Sequence, residues 1–144
     1  MQFYFARADY ASAAVVILGI PFDRTSSFLP GARFACQNLR LGAENLETYS
    51  PYQKRSLPEA KIYDAGDLPP DLPPDEFFFK VEEKIGSFLA DGKKVLVLGG
   101  EHTITFPCLK AFKRVYPDLI LLHLDAHADL RDTYGGEKLC HATV

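Results

Sequence analysis

The chain has 144 residues and a formal net charge of −3, with 47% hydrophobic and 24% charged residues. These values are typical of a globular domain with a hydrophobic core and exclude general disorder. The basic residues are scattered, so the sequence gives no indication of binding to nucleic acid or to an anionic membrane surface.

The cysteines and the N-terminal segment indicate the cellular compartment in which the protein is expected. Cys36, Cys108 and Cys140 lie far apart and form no CxxC pair, which argues against a zinc knuckle and is typical of reduced thiols. The longest apolar run, residues 11–20, is much shorter than the roughly 20 residues that span a bilayer. The start of the chain lacks the basic residues of a secretory signal. We therefore expect a cytoplasmic protein that does not bind a membrane.

Four apolar runs predict strands. Most of them are nearly continuous in Val, Ile and Leu, which is typical of strands that are covered on both faces in a parallel sheet. The predicted strands are residues 14–20, 61–65, 94–98 and 119–124.

Three helices are predicted between these strands. The first covers residues 32–47, and the second covers an apolar pattern of helical spacing in residues 78–89. The third begins near Thr103 or Thr105 and ends before Pro117. The order of elements predicts one α/β domain over residues 1–144 with a mainly parallel sheet. The proline-rich segment 68–75 is predicted to be a connecting loop.

Polar segments follow the last two predicted strands. Gly-Gly-Glu-His occupies residues 99–102, and Asp-Ala-His-Ala-Asp occupies residues 125–129. In open α/β sheets, ligands bind beyond the carboxyl ends of the strands, so we expect these two segments to converge on the functional site.

The residue types in these segments predict a metal site. Asp125, His127 and Asp129 are two residues apart, which would direct them to one side of an extended segment. His102 can join them because glycines permit close backbone approach. A divalent cation would offset the desolvation of these groups, and oxygen and imidazole ligands without thiolate favour Mn²⁺ over structural Zn²⁺. The alternative interpretation is a polar surface loop without a metal.

Three neighbouring residues have less definite predictions. His123 lies within the predicted fourth strand, so we expect a hydrogen-bonded histidine of the core, or one behind the ligands, rather than a ligand. Glu101 either supports a ligand or faces solvent. Cys140 is predicted to be a small buried residue.

The ordered motifs resemble the ureohydrolase family, which comprises arginases, agmatinases and related amidinohydrolases. The resemblance rests on residues 99–102, on residues 125–129, and on His141 in a Cys-His-Ala context. Further matching segments are residues 19–23, 30–33 and 46–50. Within the family, the stretch 123–131 is most similar to bacterial and archaeal agmatinases.

The resemblance implies an arginase-like three-layer αβα fold and two Mn²⁺ ions in each complete site. His102 and Asp129 would bind one ion, His127 would bind the other, and Asp125 would bridge them. His141 would pass a proton to the leaving amine, although a loop histidine without this role is the alternative. A water activated by the two metals would attack the guanidinium carbon.

The resemblance also suggests a substrate and an assembly. It implies hydrolysis of a guanidino compound, with agmatine giving putrescine and urea in polyamine biosynthesis. Arginase-type or guanidinobutyrase-type activity remains an alternative. Members of the family are usually homo-oligomers, either trimers or hexamers. A deacetylase-like Zn²⁺ enzyme is a weaker interpretation, because the paired loops favour a ureohydrolase.

The sequence departs from the family in length. The later DxD metal-binding motif and the glutamate that holds the guanidinium are absent from these 144 residues. We therefore expect the fold to be incomplete, to represent the N-terminal half of a ureohydrolase domain, and to be inactive alone. Three explanations of the absent motifs stay open: the chain is a portion of a longer enzyme, a split-gene product that acts as an assembly subunit, or a non-catalytic remnant.

Overall fold

The computed structural model describes residues 1–144, and strands and helices alternate along most of the chain. Three α-helices are accompanied by short 3₁₀ turns before α1, before α3 and after β3. The strands are β1 (Val15–Ile20), β2 (Tyr49–Ser50), β3 (Arg55–Ser56), β4 (Ile62–Asp67) and β5 (Lys94–Gly99). The helices are α1 (Ala35–Ala43), α2 (Pro74–Ala90) and α3 (Thr105–Val115).

The main sheet is parallel and has β1 at its centre. Its order is β4-β1-β5, and Val15 of β1 lies in register with Ile62 of β4 and Lys94 of β5. The predicted parallel α/β arrangement is therefore confirmed, because three of the four predicted strands form this sheet. The antiparallel pair β2-β3 stands apart from it and was not predicted.

Helices cover both faces of the sheet. The side chains of β1 alternate, so that Val16, Leu18 and Ile20 pack against α2 and α3, while Ile17 joins a smaller cluster near α1. Both clusters remove apolar surface from water, which is the main favourable contribution to folding. The result is the three-layer αβα architecture. None of the helices has the length and apolar character that crossing a bilayer requires.

The helix boundaries differ from the predictions by a few residues. α2 begins at Pro74, because a proline tolerates the first helical turn, where its missing N–H would be unpaired anyway. The predicted loop 68–75 is therefore two residues too long. The predicted helix 32–47 is a 3₁₀ turn followed by the shorter α1, and the chain turns at residues 44–46. The third helix is confirmed as α3.

A buried ion pair connects α1 to β4. Arg40 is 1% exposed and donates hydrogen bonds from Nε and Nη2 to the two oxygens of Asp64, at 2.8 and 2.9 Å. It also donates to Asp67, and the backbone N–H groups of Phe3 and Gly66 donate to Asp64. Every oxygen of the buried Asp64 carboxylate therefore has a partner, as a buried charge requires.

The predicted fourth strand is wrong. Residues 119–124 form no ladder with any strand, and Ile120, Leu122 and Leu124 are 79–90% exposed. A strand needs a neighbour to bond its backbone, and the edge of β5 is not paired with this segment. For the same reason β5 is an edge strand, and its Leu96 is 50% exposed instead of covered on both faces.

Candidate metal centre

The turn after β5 brings His102 to the carboxyl edge of the sheet. The backbone N–H of Gly100 donates to Ile20 O at 3.2 Å, and that of Glu101 donates to Phe22 O at 2.7 Å. A Cβ atom at Gly100 would lie 1.8 Å from Phe22 O, so only glycine permits this approach. The close backbone approach expected of the glycine pair is therefore found at this turn.

Four side chains converge on one point beyond this edge. His102, His123, Asp125 and Asp129 each direct one ligand atom to this point, and these atoms all lie within 4.8 Å of one another. Nδ1 of His102 lies 2.7 Å from Oδ2 of Asp129, which joins the loop after β5 to the later loop. The structure thus brings together three of the residues predicted as metal ligands and adds His123.

Asp125 lies between two histidines. Its Oδ2 is 3.7 Å from Nε2 of His123, and its Oδ1 is 3.3 Å from Nδ1 of His127. The backbone N–H of His127 donates to Oδ1 at 2.8 Å, and this hydrogen bond holds the pKa of Asp125 below its usual value. Asp125 is therefore a carboxylate at neutral pH and presents one oxygen to each histidine.

His127 lies outside the cluster. Its side chain is 80% exposed, and its Nδ1 lies 3.3 Å from Oδ1 of Asp125, although it lines the same cleft. The prediction that Asp125, His127 and Asp129 face one side assumed an extended segment. The chain instead bends at residues 125–127, and Asp129 has a φ of 51°, so the two-residue periodicity is lost.

His123 is not a core histidine, so the first of its two predicted alternatives is wrong, and the second, a histidine behind the ligands, stays a prediction. Its side chain is 34% exposed, and its ring centroid lies 5.1 Å from that of His102. The prediction placed it inside a covered strand, and that strand is absent. Without a neighbouring strand, His123 turns towards the polar cluster.

The donor set of the cluster fits a divalent cation. Two imidazoles and two carboxylates are common ligands of Zn²⁺ and Mn²⁺, and the carboxylates balance the charge of one ion. Without a cation, the two carboxylates repel each other. The contact between His102 and Asp129 and the hydrogen bond from His127 N–H to Asp125 relieve part of this repulsion.

A cleft of about 760 Å³ opens onto the cluster and also contains His141. Nε2 of His141 lies 2.8 Å from Oγ of Ser27, and the ring makes an edge contact with Tyr134. Nδ1 of His141 is buried and has no hydrogen-bond partner. The volume lies within the range of small-molecule pockets, about 300–1,000 Å³.

Glu101 supports the site instead of facing solvent. It accepts hydrogen bonds from the backbone N–H and the hydroxyl of Thr103, at 2.8 and 2.7 Å, and from the hydroxyl of Thr25 at 2.8 Å. Thr25 in turn accepts from the backbone N–H of His141 at 3.2 Å. This network ties the loop after β1, the turn after β5 and the loop of His141 into one unit. Cys140, next to His141, is buried as predicted.

Sequence reasoning missed Thr25, Ser27 and Tyr134. The first two follow the carboxyl end of β1, which lies at the same edge of the sheet as the other loops. Their place after the predicted strand 14–20 could have indicated them. Tyr134 had no such signal, because no regular element precedes it.

Comparison with known proteins gives a consistent result. The family model described as Arginase family matches residues 13–144. The agmatinase of Halalkalibacterium halodurans is 42% identical over 98% of this chain and 49% of its own length. The agmatinase of Bacillus subtilis is 41% identical over the same shares of the two chains. The chain therefore spans about half the length of the curated relatives it matches.

Solved structures agree with the fold. The agmatine ureohydrolase of Thermoplasma volcanium superposes with a TM-score of 0.90 at 34% identity, over 99% of this chain and 47% of the other. The formiminoglutamase of Trypanosoma cruzi, solved with Mn²⁺, gives a TM-score of 0.85 at 26% identity, over 96% and 48%. The sheet, the cluster of His102, His123, Asp125 and Asp129, and these matches lead to one conclusion: the chain belongs to the arginase family.

Proposed function

We propose that this chain provides half of the active site of a binuclear manganese hydrolase that releases urea from a guanidino substrate. The observation that supports this most directly is the convergence of His102, Asp125 and Asp129 at the end of the sheet. In the proposed complete site, His102 and Asp129 would hold one Mn²⁺, His127 would hold the other, and Asp125 would contribute to both. The remaining ligands come from outside these 144 residues.

The metal pair would supply a hydroxide nucleophile at neutral pH, because bound divalent ions lower the pKa of water. The protein contributes binding and proton transfer. The carboxylates of Asp125 and Asp129, which line the cleft, would hold the metal pair. His141 lines the same cleft, with Nε2 held by Ser27, and we propose that it gives a proton to the leaving amine.

Agmatine is the proposed substrate, with putrescine and urea as products in polyamine biosynthesis. Support comes from the names of the relatives, since those at 41–44% identity include several agmatinases. Arginine and guanidinobutyrate are the alternatives. We also propose that the complete protein is a homo-oligomer, as the sequence resemblance implies, and that it is cytoplasmic, as expected from its cysteines and N-terminal residues.

A complementation assay tests this proposal by adding the C-terminal half of a relative. The chain is mixed with the C-terminal half of the Bacillus subtilis agmatinase, and urea release is measured with Mn²⁺ on agmatine, arginine and guanidinobutyrate. The C-terminal half alone is the control. Urea from agmatine only in the mixture supports the proposal, and no urea from any substrate in a mixture that forms a complex rejects it.

Three variants test the proposed roles in the same mixture. Asp125→Asn should lower Mn²⁺ content more than Asp129→Asn, because a bridging ligand serves both ions. His141→Ala should lower turnover while Mn²⁺ content stays near normal. Equal metal loss in all three variants would contradict these roles.

A second candidate is a non-catalytic assembly subunit. The exposed apolar side chains of residues 120–124 favour it, because apolar surface of this kind marks protein contact. Urea release by the purified 144-residue chain alone would exclude this candidate.

A further inference from the structure

We propose that the hydroxyl of Thr25, which Glu101 holds in place, positions His141 for the proton transfer of the proposed reaction. The inference rests on the proposed function, in which His141 gives a proton to the leaving amine. Thr25 does not line the cleft, so it acts through His141 and is a positioning residue. The inference assigns a role to Thr25, which sequence reasoning missed, and to Glu101, whose part in the site the sequence left open.

The hydrogen bonds of Thr25 have one consistent direction. An ionised carboxylate accepts hydrogen bonds and cannot donate them, so the Thr25 hydroxyl donates to Oε1 of Glu101 across 2.8 Å. The hydroxyl of Thr103 donates to the other oxygen of Glu101 at 2.7 Å. Thr25 Oγ1 therefore keeps its lone pairs for the backbone N–H of His141, which donates to it at 3.2 Å. Because hydrogen bonds to a charged acceptor are about twice as strong as neutral ones, Glu101 fixes the orientation of the Thr25 hydroxyl.

The segment that carries His141 has few other connections to the sheet. It contains no helix or strand, and the remaining hydrogen bonds of residues 140–143 stay within residues 131–143. The two hydrogen bonds that join residues 140–143 to earlier parts of the chain are those of His141 with Thr25 and Ser27. Thr25 holds the backbone of His141, and Ser27 holds its ring. The position of the proposed proton donor therefore depends on both hydroxyls.

Packing keeps the same segment folded. Cys140 and Ala142, on either side of His141, are buried, and the ring of His141 meets that of Tyr134 edge on, with centroids 5.3 Å apart. Removal of the Thr25 hydroxyl should therefore shift His141 within a folded segment instead of unfolding the segment. A displacement of about 1 Å at a reacting group can cost about 100-fold in rate.

Glu101 connects His141 to the turn that carries the proposed metal ligand His102. Glu101 directly precedes His102, and its backbone N–H donates to Phe22 O at 2.7 Å. Its side chain reaches Thr25, which holds His141. This path fixes the proton donor relative to the metal ligand through the protein alone. Such a fixed distance is what proton transfer to a leaving group near the metals requires.

Thr25→Val and Thr25→Ser are the matched variants that test the inference. Valine has the shape of threonine without the hydroxyl, and serine keeps the hydroxyl without the methyl group. Urea release from agmatine with Mn²⁺ is measured for both in the mixture with the C-terminal half of the Bacillus subtilis agmatinase. Both variants are repeated in the His141→Ala background. Circular dichroism and Mn²⁺ content check that the fold and the metal site are intact.

Thr25→Val should lower kcat about 10–100-fold while KM and Mn²⁺ content stay near the wild-type values, because a displaced proton donor affects turnover more than binding. Thr25→Ser should keep kcat within about threefold of wild type, since its hydroxyl can make the same hydrogen bonds. In the His141→Ala background, Thr25→Val should change kcat less than about twofold, because residues that act as a unit are not additive. A purely structural role would lower kcat by the same factor in both backgrounds.

Hydrogen exchange of the purified chain gives a second readout that does not depend on activity. In Thr25→Val, loss of one hydrogen bond should speed exchange of the His141 amide roughly 2–10-fold, whereas Thr25→Ser should match wild type. The amide of Cys140 donates to the hydroxyl of Thr143 and is the internal control, so its exchange should be the same in all three proteins.

Three results would overturn the inference: equal loss of kcat in the two backgrounds, a Thr25→Ser variant as slow as Thr25→Val, or unchanged exchange of the His141 amide in Thr25→Val. The two measurements also separate this failure from that of the proposed function. Absence of urea from the wild-type mixture refutes the proposed function, while the exchange rates still decide whether Thr25 holds His141. Urea release by wild type and by Thr25→Val at the same rate refutes only the inference.

Discussion

Replacement of Arg40 by methionine should destabilise the fold more than any replacement of a surface charge. Arg40→Met keeps a long apolar side chain but removes the guanidinium that neutralises Asp64. Asp64 is fully buried, and Asp67 loses the same partner. The variant therefore leaves one carboxylate unpaired in the interior and a second without its ion pair.

The structure allows an estimate of the effect. Removal of one partner from a buried ion pair costs about 3–5 kcal/mol, because the remaining charge has lost its compensation. This is a large part of the total stability of a domain, about 5–15 kcal/mol. At about 2–4 °C for each kcal/mol in a chain of this size, Tm should fall by about 6–20 °C.

The pH dependence follows from the pKa of Asp64. Burial acts to raise this pKa, but hydrogen bonds from Arg40, Phe3 and Gly66 outweigh it and hold the pKa below its usual value. Because the pKa of Asp64 is lower in the folded state, its carboxylate stabilises the fold at pH values above its unfolded-state pKa of about 3.9. This stabilisation is lost as the pH falls through the folded-state pKa. The difference between wild type and Arg40→Met should therefore be full at pH 7 and shrink below about pH 4.

Urea unfolding monitored by circular dichroism at several pH values measures both effects. Lys80→Met is the matched control, because it removes the same charge from the exposed ion pair of Lys80 and Glu83. The side chains of these two residues are 46% and 57% exposed, respectively. The control should be indistinguishable from wild type. If Arg40→Met were no less stable than Lys80→Met at pH 7, the reasoning about the buried pair would be wrong.

Three further predictions address the site and its surroundings. Gly100→Ala should lower both Tm and Mn²⁺ affinity, because the new Cβ would lie 1.8 Å from Phe22 O. Gly86→Ala in α2 is the control and should leave metal binding unchanged, because open space surrounds its Cβ. Equal Mn²⁺ affinities of the two variants would contradict the close approach at Gly100. Burial raises the pKa of Cys108 to about 12, so its thiol should resist iodoacetamide at pH 8 in the folded protein and react in urea, as mass spectrometry can measure. Ser27→Ala removes the only hydrogen-bond partner of the His141 ring and should shift its ¹⁵N resonances without changing Mn²⁺ affinity; unchanged resonances would mean that Ser27 does not orient the ring.

The apolar pattern predicted the central sheet because its information is local. β1, β4 and β5 begin and end within two residues of the predicted strands, and α2 and α3 cover the predicted periodic segments. The segment 119–124 has the same pattern but is not a strand, because a strand depends on a neighbour that can bond its backbone. No local signal reports whether that neighbour is present.

The candidate site likewise combines residues that the sequence predicted with residues that only the tertiary structure brings together. Gly100 and His102 were found because they follow a parallel strand, and the carboxyl ends of such strands meet at one edge. Asp125 and Asp129 were found from their motif, although the apolar run before them forms no strand. The exchange of His127 for His123 was not predicted, since it depends on the bend at residues 125–127 and on the φ of Asp129. Thr25 and Ser27 joined the site only because β1 lies in the centre of the sheet.

The sequence by itself determined the α/β class, the parallel strands, the family and the residue types of the candidate metal site. These follow from periodicity and from motifs, which are properties of neighbouring residues. The tertiary structure decided which histidine faces the carboxylates, which strand lies at the edge and which polar groups hold His141. These depend on contacts between distant segments, because packing against other elements fixes the backbone path, and the backbone path sets the direction of each side chain.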